Sequence, residues 1–150
     1  WCMIFRLEVD DYHRYCYIDR GFKHKNIHIN GELHTVNPIA LKNCNIYKRN
    51  SREYTVLHTK NFGDVTQVEV GAMMVGKILN HHGCYHFEKG EEKGMFLFGG
   101  STIVLLVEKN KIIPCAEFLE NTAQGFETVV KMGEKIGKRL WKVLMLTGVL

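Results

Sequence analysis

Proline is almost missing from this chain: two residues in 150, against fourteen glycines. That excludes a proline-rich linker, and without a Gly-X-Y period the glycines exclude a collagen. Nowhere does an apolar run approach the ~18 residues of a membrane-spanning helix. No CxxC pair occurs. The five cysteines (Cys2, Cys16, Cys44, Cys84 and Cys115) are odd in number and widely spaced, which disfavours a disulfide framework or a zinc ribbon and fits a reducing compartment. No charge of one sign dominates either. Twenty Lys and Arg against 16 Asp and Glu leave +4, too little, unclustered, to point to nucleic acid. It is compatible with an anionic membrane surface or an anionic substrate. GxSxG, GxxxxGK[ST] and HExxH are absent, which disfavours a hydrolase nucleophile elbow, a phosphate loop and a helical zinc-protease site. No signal peptide is visible. The chain opens at Trp1 as if in the middle of a strand, so a fragment of a longer protein is expected.

What is present is an ordinary globular balance, 45% hydrophobic and 24% charged, long enough for one domain with a core over residues 1–150. β-Branched and aromatic residues mark strands at 2–9, 53–59, 95–98 and 102–108. Residues 10–15 look like a strand end or loop. Residues 27–29 followed by Asn30-Gly31 predict a hairpin with a return strand at 33–36, broken by Asn37-Pro38; 39–50 is ambiguous and could hold a helical turn. After a turn at 61–64, residues 65–79 predict one long strand, bent or bulged at Gly71 and Gly76. Residues 81–94 are polar and turn-rich. A short helix is predicted at 116–124, a strand at 127–132 and a weakly amphipathic helix over 135–150. Many short strands with few helix candidates predict a mainly β fold with minor α, α+β in class.

Four clusters carry chemistry. Gly99-Gly100-Ser101-Thr102 places a hydroxyl beside a carbonyl whose glycine neighbours leave it approachable; read alone it is a turn before a strand. Asp11-Tyr12-His13-Arg14-Tyr15-Cys16 offers a base or acid near neutral pH, a fixed cation and a thiol. His81, His82, Cys84 and His86 are zinc-binding residue types, but their spacing matches neither a closed site nor an i, i+4 pair, so loop residues without a metal are expected. Lys89-Gly90-Glu91-Glu92-Lys93-Gly94 reads as a solvated turn.

Taken in order, several blocks resemble the phosphatidylserine decarboxylases: Asp11-Tyr12-His13-Arg14, the segment GELHTVNP at 31–38, Asn50-Ser51-Arg52-Glu53, VGAMMVG at 70–76, KGEEKG at 89–94 with Phe96 and Phe98, Gly99-Gly100-Ser101-Thr102, and Glu127-Thr128 with KMGE at 131–134. The resemblance covers about residues 1–137; the tail 138–150 does not look like the family's usual ending. It implies a β-rich catalytic domain that cleaves itself between Gly100 and Ser101 into a larger chain, 1–100, and a smaller one, 101–150, which stay together. The Ser101 hydroxyl would attack the Gly100 carbonyl and convert the amide to an ester. Loss of the α-proton with β-elimination would leave dehydroalanine, and hydrolysis a pyruvoyl cap. That pyruvoyl group, made from Ser101, would be the cofactor, accepting the substrate amine as a Schiff base and acting as electron sink. Phosphatidylserine would become phosphatidylethanolamine.

Under the same resemblance His13 is assigned to carboxylate positioning and proton transfer, and Arg14 and Tyr12 to substrate binding. Cys16 stands where the family usually keeps a second histidine, the base that works with an upstream Asp; a thiol serves as base only with a lowered pKa. Neither Asp10 nor Asp11 matches that Asp. The implied partners are phosphatidylserine and an anionic membrane surface, with no nucleic acid and no metal, at a peripheral location on the cytoplasmic side; a homo-oligomer is compatible with it. The competing expectation is a processing-deficient, non-catalytic phospholipid-binding domain of the same fold.

Overall fold

A computed structural model describes residues 1–35, 49–73, 77–97 and 101–140. The chain divides into two compact units, Trp1–Glu108 and Lys109–Leu150. The first unit holds two sheets. Its larger sheet is antiparallel, with β1 (Cys2–Leu7), β10 (Ser101–Val107), β6 (Gly63–Val70), β5 (Arg52–Thr59), β3 (Gly21–Lys23) and β8 (Tyr85–Phe87) in that order. A short strand, β4 (Ile27–Ile29), shares β5 with β3. The smaller sheet sets β9 (Glu92–Leu97) between β2 (Arg14–Cys16) and β7 (Lys77–Asn80).

Alternation along β5, β6 and β10 sends odd-numbered side chains to the buried face, since direct cross-strand partners share a face. Leu105, Gln67 and Thr55 form one such row; Val107, Val65, Leu57 and Lys23 form another. All seven are buried. In the second unit β11 (Ile112–Pro114) pairs with β12 (Gly137–Arg139), and α1 (Ala116–Ala123) follows β11.

The fold is mainly β, with one helix among the described residues, as the sequence pattern predicts. Several local expectations are corrected. Asn30-Gly31 does not turn a hairpin: β4 pairs with β5 instead, and residues 31–35 are held as irregular chain by the buried Asn50. Its Oδ1 accepts the His34 amide at 3.0 Å, while its Nδ2 donates to the His34 and Gly71 carbonyls, each at 2.8 Å. The long strand at 65–79 is two strands in different sheets, because β6 stops at Val70 and the Gly71 amide turns to the Ser51 carbonyl at 2.9 Å. Residues 81–94 contain β8 and the start of β9. No strand forms at 127–132, where Val129 is 91% exposed and no partner strand pairs with it. In place of a helix from residue 135, residues 137–139 form β12; residues 141–150 lie outside the described residues, as do 36–48 with Asn37-Pro38 and most of the ambiguous stretch.

Candidate active site

Ser101 opens β10 directly opposite Leu7 of β1 and is completely buried. Its Oγ has no hydrogen-bond partner among the described residues. A buried polar group left unpaired costs about 1–3 kcal/mol, so an orphaned hydroxyl at this depth asks for a reason. Two residues along the same face, Ile103 packs with Leu7 and Ile78 against the buried rings of Tyr15 and Phe96. The hydroxyl therefore sits beside an apolar wall. Gly99 and Gly100, before it, lie outside the described residues.

His13 reaches this wall from the other sheet. Its carbonyl accepts the Phe96 amide at 2.9 Å, and its ring stands edge-on to Phe96 with centroids 6.3 Å apart. Nδ1 lies 2.6 Å from the Asp11 carbonyl oxygen. A carbonyl only accepts, so Nδ1 carries the proton and Nε2 is the acceptor of the neutral ring. Phe96 joins the two residues, touching the His13 ring and the cluster containing Leu7 and Ile103.

The rest of the block is deployed differently. Tyr12 is 64% exposed. Arg14 donates to Glu92 at 2.6 Å, and His81 Nε2 meets the same carboxylate oxygen at 2.6 Å. The bond from His81, reinforced by Arg14, holds the Glu92 carboxyl below its usual range. Cys16 is half-buried, and burial pushes its thiol up, away from thiolate at neutral pH. The expected loop cluster is scattered: His81 goes to Glu92, His82 stacks on Tyr85 at 3.8 Å, His86 leans on Phe22 and Cys84 is exposed. Among the described residues no three His, Cys, Asp or Glu side chains are placed to hold a metal ion.

Sequence reasoning missed a buried polar network behind the wall. Lys93 Nζ donates to Glu69 Oε1 at 2.7 Å and to Asn80 Oδ1 at 2.6 Å, and both members of the pair are closed to solvent. Asn80 Nδ2 donates to Glu53 at 2.7 Å. Lys23, also buried, donates to Asn26 at 2.7 Å, and Thr55 donates to the same oxygen. Burial opposes charge throughout, pushing Glu69 up and Lys93 down and lowering Lys23 to about 8. The Tyr15 ring lies beneath Lys93 and links this network to the wall beside Ser101. Gly94 permits the crossing, because a Cβ there would collide with the Leu79 carbonyl and the Tyr15 hydroxyl. The one sequence signal was Gln67 and Glu69 set among the valines of 65–70.

The sequence profile described as phosphatidylserine decarboxylase matches residues 1–138. The phosphatidylserine decarboxylase proenzyme 2 of Clostridium acetobutylicum is 57% identical over 138 residues, 91% of this chain and 47% of that protein. The proenzymes of Clostridium novyi and Clostridium kluyveri are 48% and 51% identical over 93% and 91% of this chain, and 48% and 47% of theirs. The chain thus spans about half the length of the curated relatives it matches. No solved structure matches.

Proposed function

The chain belongs to the phosphatidylserine decarboxylase family, and on that premise we propose that it is the self-cleaving, pyruvoyl-forming part of an enzyme converting phosphatidylserine to phosphatidylethanolamine. The observation that carries this reading is the buried Oγ of Ser101 at the head of β10, without a partner among the described residues. A group generated in place from that side chain fits a site where none of the described residues bonds the side chain.

In this reading the Ser101 hydroxyl attacks the Gly100 carbonyl, and the C–N bond between the two residues gives way to a C–O ester while the proton passes to the nitrogen. The ester oxygen then leaves as the Cα proton of residue 101 is removed; water displaces the nitrogen as ammonia. A pyruvoyl carbonyl supplies the electron sink that decarboxylation of an amino acid requires. His13, with Nδ1 tied to Asp11, presents Nε2 to hold or return a proton. Leu7, Ile103 and Phe96 keep water from the reacting position. No helix among the described residues is long and apolar enough to cross a membrane; the reading places the protein peripherally on an anionic membrane surface, on the cytoplasmic side.

One observation favours a second reading. Cys16 replaces the family's second histidine, and its thiol is pushed up, so it supplies no ready base; a processing-deficient lipid-binding domain would look like this. Intact-mass analysis separates the two. The self-cleaving reading requires two species parting between residues 100 and 101, the smaller reactive toward hydroxylamine, and one uncut species in Ser101→Ala. A single uncut, hydroxylamine-inert mass in the parent sinks it in favour of the second.

A further inference from the structure

The face of the large sheet opposite the buried network carries an organised row of its own. Asp64, His58, Phe22 and His86 are successive cross-strand partners from β6 to β8. Phe22 is the hub: the His86 ring lies 4.9 Å from it and the His24 ring 5.0 Å, edge-on. His24 in turn stands 5.4 Å from His58, whose Nδ1 lies 2.8 Å from the Asp64 carboxylate. Gly21 allows this closeness, since a Cβ there would strike the His58 carbonyl. At one end a braced turn brings two fixed cations together. The Lys60 amide donates to the Arg20 carbonyl at 3.0 Å, and buried Asp19 accepts the Asn61 amide at 2.6 Å and its side chain at 2.8 Å. Between them lies a shallow groove of about 460 Å³, lined by Arg20, Phe22, His58, Lys60, His86 and Glu88 among others.

Fixed cations outnumber carboxylates around this groove. Arg20 and Lys60 are offset by Asp64 and Glu88; His24, with Lys25 beside it, adjoins His58. Guanidinium, ammonium and imidazolium are the donors that recognise phosphate oxygens.

We propose that this groove binds a phosphate-bearing anion, held by Arg20, Lys60, His58 and His86 over the Phe22 ring. The anion is a phospholipid headgroup or free phosphate. The site is separate from Ser101 and its binding is read without any cleavage or decarboxylation, so it stands or falls independently of that chemistry.

Two probes test it on the parent chain: inorganic phosphate, followed by the histidine ring resonances, and phosphatidylcholine vesicles with or without about one-third phosphatidylserine, by co-sedimentation. At about 1 kcal/mol per cation near an anionic surface, removing Arg20 and Lys60 together should weaken binding to the anionic vesicles roughly thirtyfold. His58→Gln with His86→Gln should weaken the phosphate probe, and Arg20→Gln with Lys60→Gln should weaken both probes. Phosphate binding without vesicle binding, lost in these variants, makes free phosphate the ligand and supports the site. No binding of either probe overturns the proposal. So does binding that both pairs of substitutions leave unchanged in variants with parental circular dichroism.

Discussion

Lys93→Met removes the ammonium from which Glu69 Oε1 accepts at 2.7 Å, in a place where both side chains are closed to solvent. Methionine fills nearly the same volume, so little cavity cost is added; what remains is a buried carboxylate without its cation. Breaking a buried pair from one side costs about 3–5 kcal/mol, a large part of the ~5–15 kcal/mol that holds a domain folded. Glu69 can escape part of this cost by taking up a proton, a shift that burial already promotes. In the variant the folded state then binds more protons than the unfolded one above the ordinary carboxyl range, so stability falls as pH rises and the cost is larger near pH 8 than near pH 5. Glu69→Gln in the Lys93→Met background removes both charges and should recover most of the loss, giving a coupling energy of at least about 2 kcal/mol in a double-mutant cycle. Urea unfolding followed by far-UV circular dichroism supplies the four free energies. If Lys93→Met loses under about 1 kcal/mol, or the two substitutions simply add, the pair behaves like a solvent-screened surface bridge and the inward placement of Glu69 and Lys93 is refuted.

Other outcomes follow from the same geometry. Ser101→Ala should cost less than about 1 kcal/mol of stability, since it removes a buried hydroxyl that has no partner among the described residues; a thermal melt showing a large loss would mean that the hydroxyl is bonded. Phe96→Ala should destabilise by about 3–5 kcal/mol through the cluster with Tyr15, Leu7 and Ile103, measurable by the same urea titration. Lys23, lowered to about 8 by burial, should make the protein more stable as pH rises from about 8 toward 10.5, because the unfolded chain holds a proton that the folded one has released; the gain is at most about 3 kcal/mol. Lys23→Met should flatten that rise, and equal slopes in parent and variant would contradict it. Cys16→Ala should leave any self-cleavage rate unchanged, and a lost cut on intact-mass analysis would make the thiol the base after all.

The residues of β6 show what a sequence can and cannot tell. The β-branched residues at 65–70 mark a strand, and β6 forms there. Composition then suggests that Gln67 and Glu69 meet water, yet they are buried while Val68 on the other face is only half-covered. Which face is inside is decided by Lys93 and Asn80 from the second sheet, 24 and 11 positions away from Glu69, a fact no local window contains. For the same reason β3 and β8 were not anticipated: each has three residues, their content is mixed, and they exist as strands because β5 and each other supply partners. Val129-Val130 failed in the opposite direction, with strand-forming side chains and no partner. Ser101 and His13 were legible as residue types within ordered blocks. Phe96, which touches the His13 ring and packs with Leu7 and Ile103, was legible only as a member of one block, and the bond between Arg14 and Glu92 spans 78 positions.

The place of β10 gives any cut ahead of Ser101 a mechanical character. That strand is zipped along six register positions to β1 on one side and six to β6 on the other, so the fragment beginning at residue 101 would own an interior stave of a sheet otherwise built by the fragment ending at residue 100. Separating the pieces would mean tearing both ladders at once, an event with the barrier of unfolding rather than of dissociation. Dilution should therefore fail to part them, and denaturant should part them only at the midpoint where the whole sheet melts. The backbone could be severed at a buried position, its new terminus staying opposite Leu7, without the molecule ever becoming two independent bodies.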